Sequence, residues 1–197
     1  MNKIIIIEGG DNLGKTSLIE NLTKYFDYKN VMIRHCDKPP KNLSFKEVLK
    51  YQMKVFKQEQ KLIFYYLNMN RKYMYHDNII IYDRFYLGEY VYSQMFRGGK
   101  SDVLKKMLLD FETGFISHEV YLITLTADPE FFFSKEDGNS FSNKLEDKTK
   151  ELELFKEAHD FSIIANKLYL KVDDFHFAEK SFRPKSEILN EVIQFIK

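Results

Sequence analysis

Two hydrophobic periods alternate along the chain. Short, nearly unbroken apolar runs occur at residues 4–7, 31–35, 78–82, 119–126 and 168–172, each bounded by polar or Gly-containing sequence. Such runs predict strands buried on both faces, as in a parallel sheet. Between them apolar residues recur every three or four positions. Leu18, Leu22 and Phe26 predict a first helix from Lys15 or Thr16 to about residue 30. Residues 44–75 contain neither Gly nor Pro and carry Leu49, Met53, Phe56, Leu62 and Leu67, which predicts a long helical stretch read as two helices. Further helices are predicted over 86–96, 101–115, 146–167 and 186–197, with a short one opened by Asp128-Pro129-Glu130. Residues 135–144 are polar and aperiodic and read as a lid, and 175–184 read as a loop. Five strands alternating with helices predict an open α/β sheet, parallel under the right-handed crossover rule.

The first strand runs into Gly9-x-x-x-x-Gly14-Lys15-Thr16, followed by a helix, which is the sequence context of a phosphate-binding loop. Glycines let the backbone curl so that successive N–H groups of Gly9, Gly10, Asn12, Leu13, Gly14, Lys15, Thr16 and Ser17 can face an anion. Lys15 adds a charge for β- and γ-phosphates, Thr16 offers a hydroxyl to Mg²⁺, and the helix N-terminus adds its partial positive charge. The third strand ends in Asp83-Arg84. A carboxylate there can hold Mg²⁺ or orient an oxygen, and the guanidinium can clamp a phosphate with two donors. The alternative, a structural ion pair, would be preferred away from a phosphate loop. Lys38, just past the second strand, lies where α/β sheets bind ligands, although a solvated loop lysine fits equally well.

Composition narrows the class. The chain has 197 residues, 44% hydrophobic and 30% charged, with formal net charge +1, so the bulk charge does not point to a nucleic-acid or membrane binder, and only a local basic patch is left open. One cysteine, Cys36, rules out an internal disulfide and fits a reducing, cytoplasmic setting. No apolar run approaches membrane-spanning length, and no signal segment opens the chain. The charges of residues 146–167 read as a solvated helix face.

Glu8-Gly9-Gly10-Asp11-x-x-Gly14-Lys15-Thr16, Met69-Asn70-Arg71, Asp83-Arg84-Phe85 and Tyr90-Val91-Tyr92 together resemble thymidylate kinase and its nucleotide-kinase relatives, in order along nearly the whole chain. The resemblance implies a three-layer P-loop NTPase fold, one nucleotide kinase domain over residues 1–197 with a lid at about 134–148, ATP and Mg²⁺ as cofactors, and a homodimer. It implies that Asp11 reaches the acceptor sugar, that Arg71 and Arg84 hold the acceptor phosphate, and that Asp83 acts with Thr16 around the metal. Leu67 stands where the family stacks a phenylalanine on the base, with Phe64 one turn away, and Tyr92 stands in the acceptor motif. The family's lid arginine has no counterpart, because no arginine occurs from Gly98 through Phe182; Lys135 or Arg97 is left to supply that charge. The expected activity is phosphorylation of a deoxynucleoside monophosphate. A kinase of a free nucleoside, with Asp37 as base, a kinase of a modified base in DNA, or a catalytically weak nucleotide-binding protein are the rival readings.

Overall fold

The structure is a computed structural model and describes residues 2–26, 31–36, 39–40, 42–69, 78–138, 142–176 and 179–197. The strands are β1 (Lys3–Gly9), β2 (Val31–His35), β3 (Ile79–Asp83), β4 (Glu119–Thr126) and β5 (Asn166–Lys171), with a separate pair β6 (Asp173–His176) and β7 (Glu179–Phe182). The helices are α1 (Lys15–Tyr25), α2 (Phe45–Met69), α3 (Leu87–Phe96), α4 (Ser101–Glu112), α5 (Pro129–Ser134), α6 (Leu145–Phe161) and α7 (Lys185–Ile196). The main sheet has the order β2-β3-β1-β4-β5, and every pairing in it is parallel.

The four isoleucines of β1 explain the layering. Ile4 and Ile6 enter one core with Ile80 and Tyr82 of β3 and with residues of α2, α3, α4 and α6. Ile5 and Ile7 enter the other, with Ile81 of β3 and residues of α1, α5 and α7. Period-two alternation thus sends one continuous apolar run into two cores, and helices cover both faces. The strand order reverses direction around β1, so the carboxyl ends of β1 and β3 open onto a crevice.

Several predicted boundaries move. The stretch expected as two helices is one 25-residue helix, α2, as far as Met69; its continuation through Arg71 lies outside the described residues. Val48, Phe56, Ile63 and Leu67 give it a single buried stripe, so no break is needed. Within the expected loop of 175–184, the described residues pair instead, β6 (Asp173–His176) antiparallel to β7 (Glu179–Phe182). These strands are four residues each and largely polar, too short to show a period. No helix among the described residues is long and apolar enough to cross a membrane.

Helix α6 is not the solvated face its composition suggested. Lys148, Glu151 and His159 are all buried on it. His159 Nδ1 lies 2.9 Å from Thr124 Oγ1 of β4. Burial, with the Lys167 ammonium nearby, pushes this imidazole down to about 4. Lys167 is itself held by the carbonyls of His159, Asp160 and Ser162, which it caps at the end of α6. The unfolded chain therefore takes up a proton at His159 that the folded chain refuses between pH 6.5 and about 4. Stability due to this group is full above pH 6.5 and is lost as pH falls through that window, by about 3 kcal/mol at its end. Melting curves at neutral and acid pH should show a smaller acid loss in His159→Gln than in the parent chain; parallel losses would refute the assignment.

Candidate active site

The loop between β1 and α1 is shaped by what surrounds it. Gly9 has φ 129°, and a Cβ there would meet the Leu125 carbonyl oxygen at 2.5 Å. At Gly10 a Cβ would collide with the Phe132 ring of α5. Both positions therefore require glycine, one for its dihedral and for space, the other for space alone. Helix α1 begins at Lys15, directly after Gly14 in the left-handed conformation, and its first N–H groups face the loop.

Lys15 is only 4% exposed. Its ammonium donates to the carbonyl oxygen of Gly9 at 3.0 Å and to that of Gly10 in a shorter bond. Burial, and then the Arg84 charge, push it down to about 8, against the pull of Asp11, Asp83 and Glu8. Asp83 ends β3 in register with Ile7, and His35 Nδ1 lies 3.1 Å from its carboxylate. Arg84 follows with φ 62°, its N–H bonded to the Ile7 carbonyl at 3.0 Å and its guanidinium paired with Asp11. A non-glycine residue in that region is strained, so the backbone is held there by its surroundings.

Those surroundings are Glu8. One oxygen of this fully buried carboxylate accepts the N–H groups of Phe85, Tyr86 and Leu87 at 2.9, 2.8 and 2.9 Å. These are the free donors at the start of α3, so the carboxylate fixes the helix to the end of β1. Burial pushes the Glu8 carboxyl up, and the three N–H bonds oppose that shift.

A cavity of about 800 Å³ lies along this loop. Its lining includes His35, Cys36, Asp83 and Arg84 from the ends of β2 and β3, Lys15 and Thr16 of the loop, and Lys135, Val172, Phe182 and Arg183. Lys135 lies with its ammonium 4.7 Å from the centre of the Phe131 ring, and its carbonyl accepts from Asn12 at 3.0 Å, which ties the start of the expected lid to the loop. Thr16 is exposed at the helix start and Asp83 offers a carboxylate. Among the described residues no cluster of three or more His, Cys, Asp or Glu forms a metal cage. One hydroxyl and one carboxylate suit Mg²⁺, which keeps much of its water and takes phosphate oxygens.

Other expected residues lie elsewhere. Arg97 does not line the cavity, because Glu89 of α3 holds it at 3.4 Å in a buried group with Ser93 and Gln52. Leu67 is buried in the core, and Phe64, the expected aromatic substitute, is 66% exposed, so α2 turns neither toward the cavity. Tyr92 donates to Glu151 Oε1 at 2.9 Å, and burial together with that carboxylate pushes its hydroxyl well up. Lys38 and Arg71 lie outside the described residues.

Three side chains were missed. Phe182 at the end of β7 and Arg183 after it line the cavity, where the sequence suggested only a loop. Lys148, 2% exposed, pairs with Glu136 at 2.5 Å and lies 4.6 Å from the centre of the Phe132 ring, the ring packed against Gly10. Its spacing to Leu152 and Phe155 on one helix face was the signal that it points inward.

No family model matches the chain, and no curated protein does. Solved structures do. The YorR protein of Bacillus subtilis, in complex with phosphorylated GDP, superposes with a TM-score of 0.64 at 17% identity over 98% of this chain and 95% of that one. Thymidylate kinase of Candida albicans gives 0.58 at 14% identity over 99% and 91%. A gluconokinase of Sinorhizobium meliloti gives 0.54 at 11% identity over 98% and 91%. The chain thus has the three-layer α/β fold of the P-loop kinases, and at these identities the likeness is one of fold.

Proposed function

We propose that the chain is an ATP-dependent phosphotransferase that moves the γ-phosphoryl group onto a deoxynucleoside monophosphate. The observation that carries this reading is the convergence of Lys15 and Arg84 on one cavity, at the carboxyl ends of neighbouring strands, with Asp11 joined to Arg84. Two fixed cations with a carboxylate between them suit two phosphate-bearing ligands and a sugar hydroxyl. The sequence resemblance to thymidylate kinase and the fold of a YorR structure that holds phosphorylated GDP support a nucleotide acceptor. Fold alone does not select it, since a gluconokinase shares the architecture.

The loop N–H groups and Lys15 bind the donor phosphates, and Phe182 and Arg183 line the same cavity, which has room for a donor base. Thr16 and Asp83 would hold Mg²⁺, which neutralises charge on the phosphates. Arg84 takes the acceptor phosphate with two donors and Asp11 orients the sugar. Phosphoryl transfer needs positioning and charge compensation more than covalent help, and these residues supply both. Lys135 is the cation of the region expected as the lid that already faces the cavity.

A coupled assay with ATP, Mg²⁺ and each of dTMP, dGMP and thymidine tests the acceptor. Turnover of a monophosphate and none of thymidine is expected. The reverse order, or ATP binding without transfer to any of them, would overturn the reading. Arg84→Gly is expected to lower kcat/KM about a hundredfold while leaving the melting temperature unchanged. Glycine relieves the positive φ, and a third-exposed ion pair adds little stability. Full activity in this variant would reduce Arg84 to a structural partner of Asp11.

A further inference from the structure

Helix α2 carries a charge pattern that phosphoryl transfer does not use. Lys46, Lys50, Lys54, Lys57 and Lys61 are all exposed, and their spacing of four, four, three and four residues keeps them on one face. At 100° per residue they fall within an arc of about 80°, and Phe64 continues the same line. Tyr65 stands beside it. Phe64 and Tyr65 are 66% and 65% exposed, the most exposed aromatic rings of the helix. From Lys46 to Phe64 the stripe is about 27 Å long.

The stripe carries little compensating charge. None of the five lysines forms an ion pair with a described carboxylate. Of the two acids of α2, Glu47 accepts from Ser44 at the helix start and feels only the Lys50 charge of the stripe, and Glu59 is buried, held by Arg34 and Tyr82. Four of the lysines border a groove of about 480 Å³ together with Met53 and Gln58. The chain is nearly neutral overall, so this is segregated charge and not a general basic surface.

We infer that the exposed face of α2 binds single-stranded nucleic acid. Lysines one helical turn apart offer a row of point charges to a phosphate backbone, and counterion release favours such a contact. The two exposed rings at the end of the row offer platforms for unstacked bases, the combination that sequence-tolerant single-strand binders use. A duplex keeps its bases stacked and leaves the rings without a role. An acidic protein would use the lysines alone, and an anionic lipid surface takes its apolar anchors from the helix face opposite its lysines, whereas Phe64 lies in line with them.

Fluorescence anisotropy of the full chain with a labelled oligothymidylate of about 16 nucleotides tests this. Binding at about 50 mM salt is expected, weakening with a log–log salt slope of up to about −3.5, the value for five phosphate contacts on a single strand. The quadruple variant K50Q/K54Q/K57Q/K61Q should lose affinity by about thirtyfold or more, with its melting temperature and phosphoryl transfer unchanged. F64A/Y65A should lose about tenfold with the same salt slope. No binding at low salt, or a quadruple variant that binds like the parent chain, overturns the inference. So does duplex binding that equals single-strand binding and ignores the aromatic substitutions. Preferential binding to phosphatidylserine vesicles would assign the stripe to a membrane surface and would equally overturn it. None of these outcomes depends on which acceptor the kinase site takes.

Discussion

Lys15→Ala is expected to cut phosphoryl transfer by about a thousandfold while the protein stays folded. The size follows from the site. Lys15 is the buried cation of the phosphate loop, and no arginine stands between Gly98 and Phe182 to share the transferred charge. The retention of fold follows from the cost of burying it. Its ammonium is pushed from 10.5 down to about 8, so at neutral pH the buried charge costs about 3 kcal/mol relative to the unfolded chain. The two carbonyls of Gly9 and Gly10 that it holds offset part of that cost. The sign is that of a base with a depressed pKa. The unfolded chain binds more protons between pH 8 and 10.5, so stability from this group rises with pH across that window. Activity moves the other way. Under the proposed function, the unliganded protein loses the charge on Lys15 as pH rises through about 8, and kcat/KM should fall. Substantial residual turnover in Lys15→Ala would sink the mechanism. A kcat/KM flat to pH 9.5 or so would separate Lys15 from the pH-sensitive step.

Glu8→Ala is expected to lower stability by about 4 kcal/mol, or roughly 10 °C in melting temperature for a chain of this length. Alanine leaves the N–H groups of Phe85, Tyr86 and Leu87 buried without an acceptor. Glu8→Gln keeps an oxygen in place, and since burial already pushes the Glu8 carboxyl up, a neutral side chain is tolerated there. The glutamine variant should therefore retain most of the stability. The loss in the alanine variant carries through to function, because the same three bonds hold the backbone that bears Asp83 and Arg84 in its strained turn. Calorimetry of both variants checks this: equal melting temperatures for alanine and glutamine would show that the three bonds contribute little.

What the sequence revealed and what it hid have physical reasons. The phosphate loop was legible because both motif glycines are forced, Gly9 by the Leu125 carbonyl and its φ of 129°, and Gly14 by its φ of 83°. The strand order was not, but the alternation of runs and helices made a parallel sheet the natural expectation, and the β1–β3 and β1–β4 pairings are parallel. Asp83-Arg84 stood out because a charged pair ends a wholly apolar strand. Helix α6 misled because burial of a charge depends on its partners. Lys148 needs Glu136 and the Phe132 ring, which lie within and before the stretch expected as a lid, beyond the reach of a helix-face pattern. Arg97 was drawn toward the site by its charge alone, while Glu89, one α3 turn from Ser93, had already engaged it. The β6–β7 hairpin brings Arg183 to the cavity through a packing contact, Phe182 against Phe131 at 4.9 Å, that no local pattern announces.

The isoleucine run of β1 has one more consequence. Shifting the strand by one residue would exchange Ile4 and Ile6 for Ile5 and Ile7 between the two cores with almost no loss of buried apolar surface. Hydrophobicity holds this strand in the sheet but cannot index it. The indexing falls to its polar ends. Lys3 reaches Glu119 at 3.0 Å and the carbonyl of Ile196 at 2.6 Å at one end, and Glu8 closes on the start of α3 at the other. A misaligned β1 would strand a buried carboxylate and carry the phosphate loop out of reach of Arg84. The charged residues at the two ends are therefore the ruler of the sheet, fixing in the native state the alignment that the four isoleucines leave undecided.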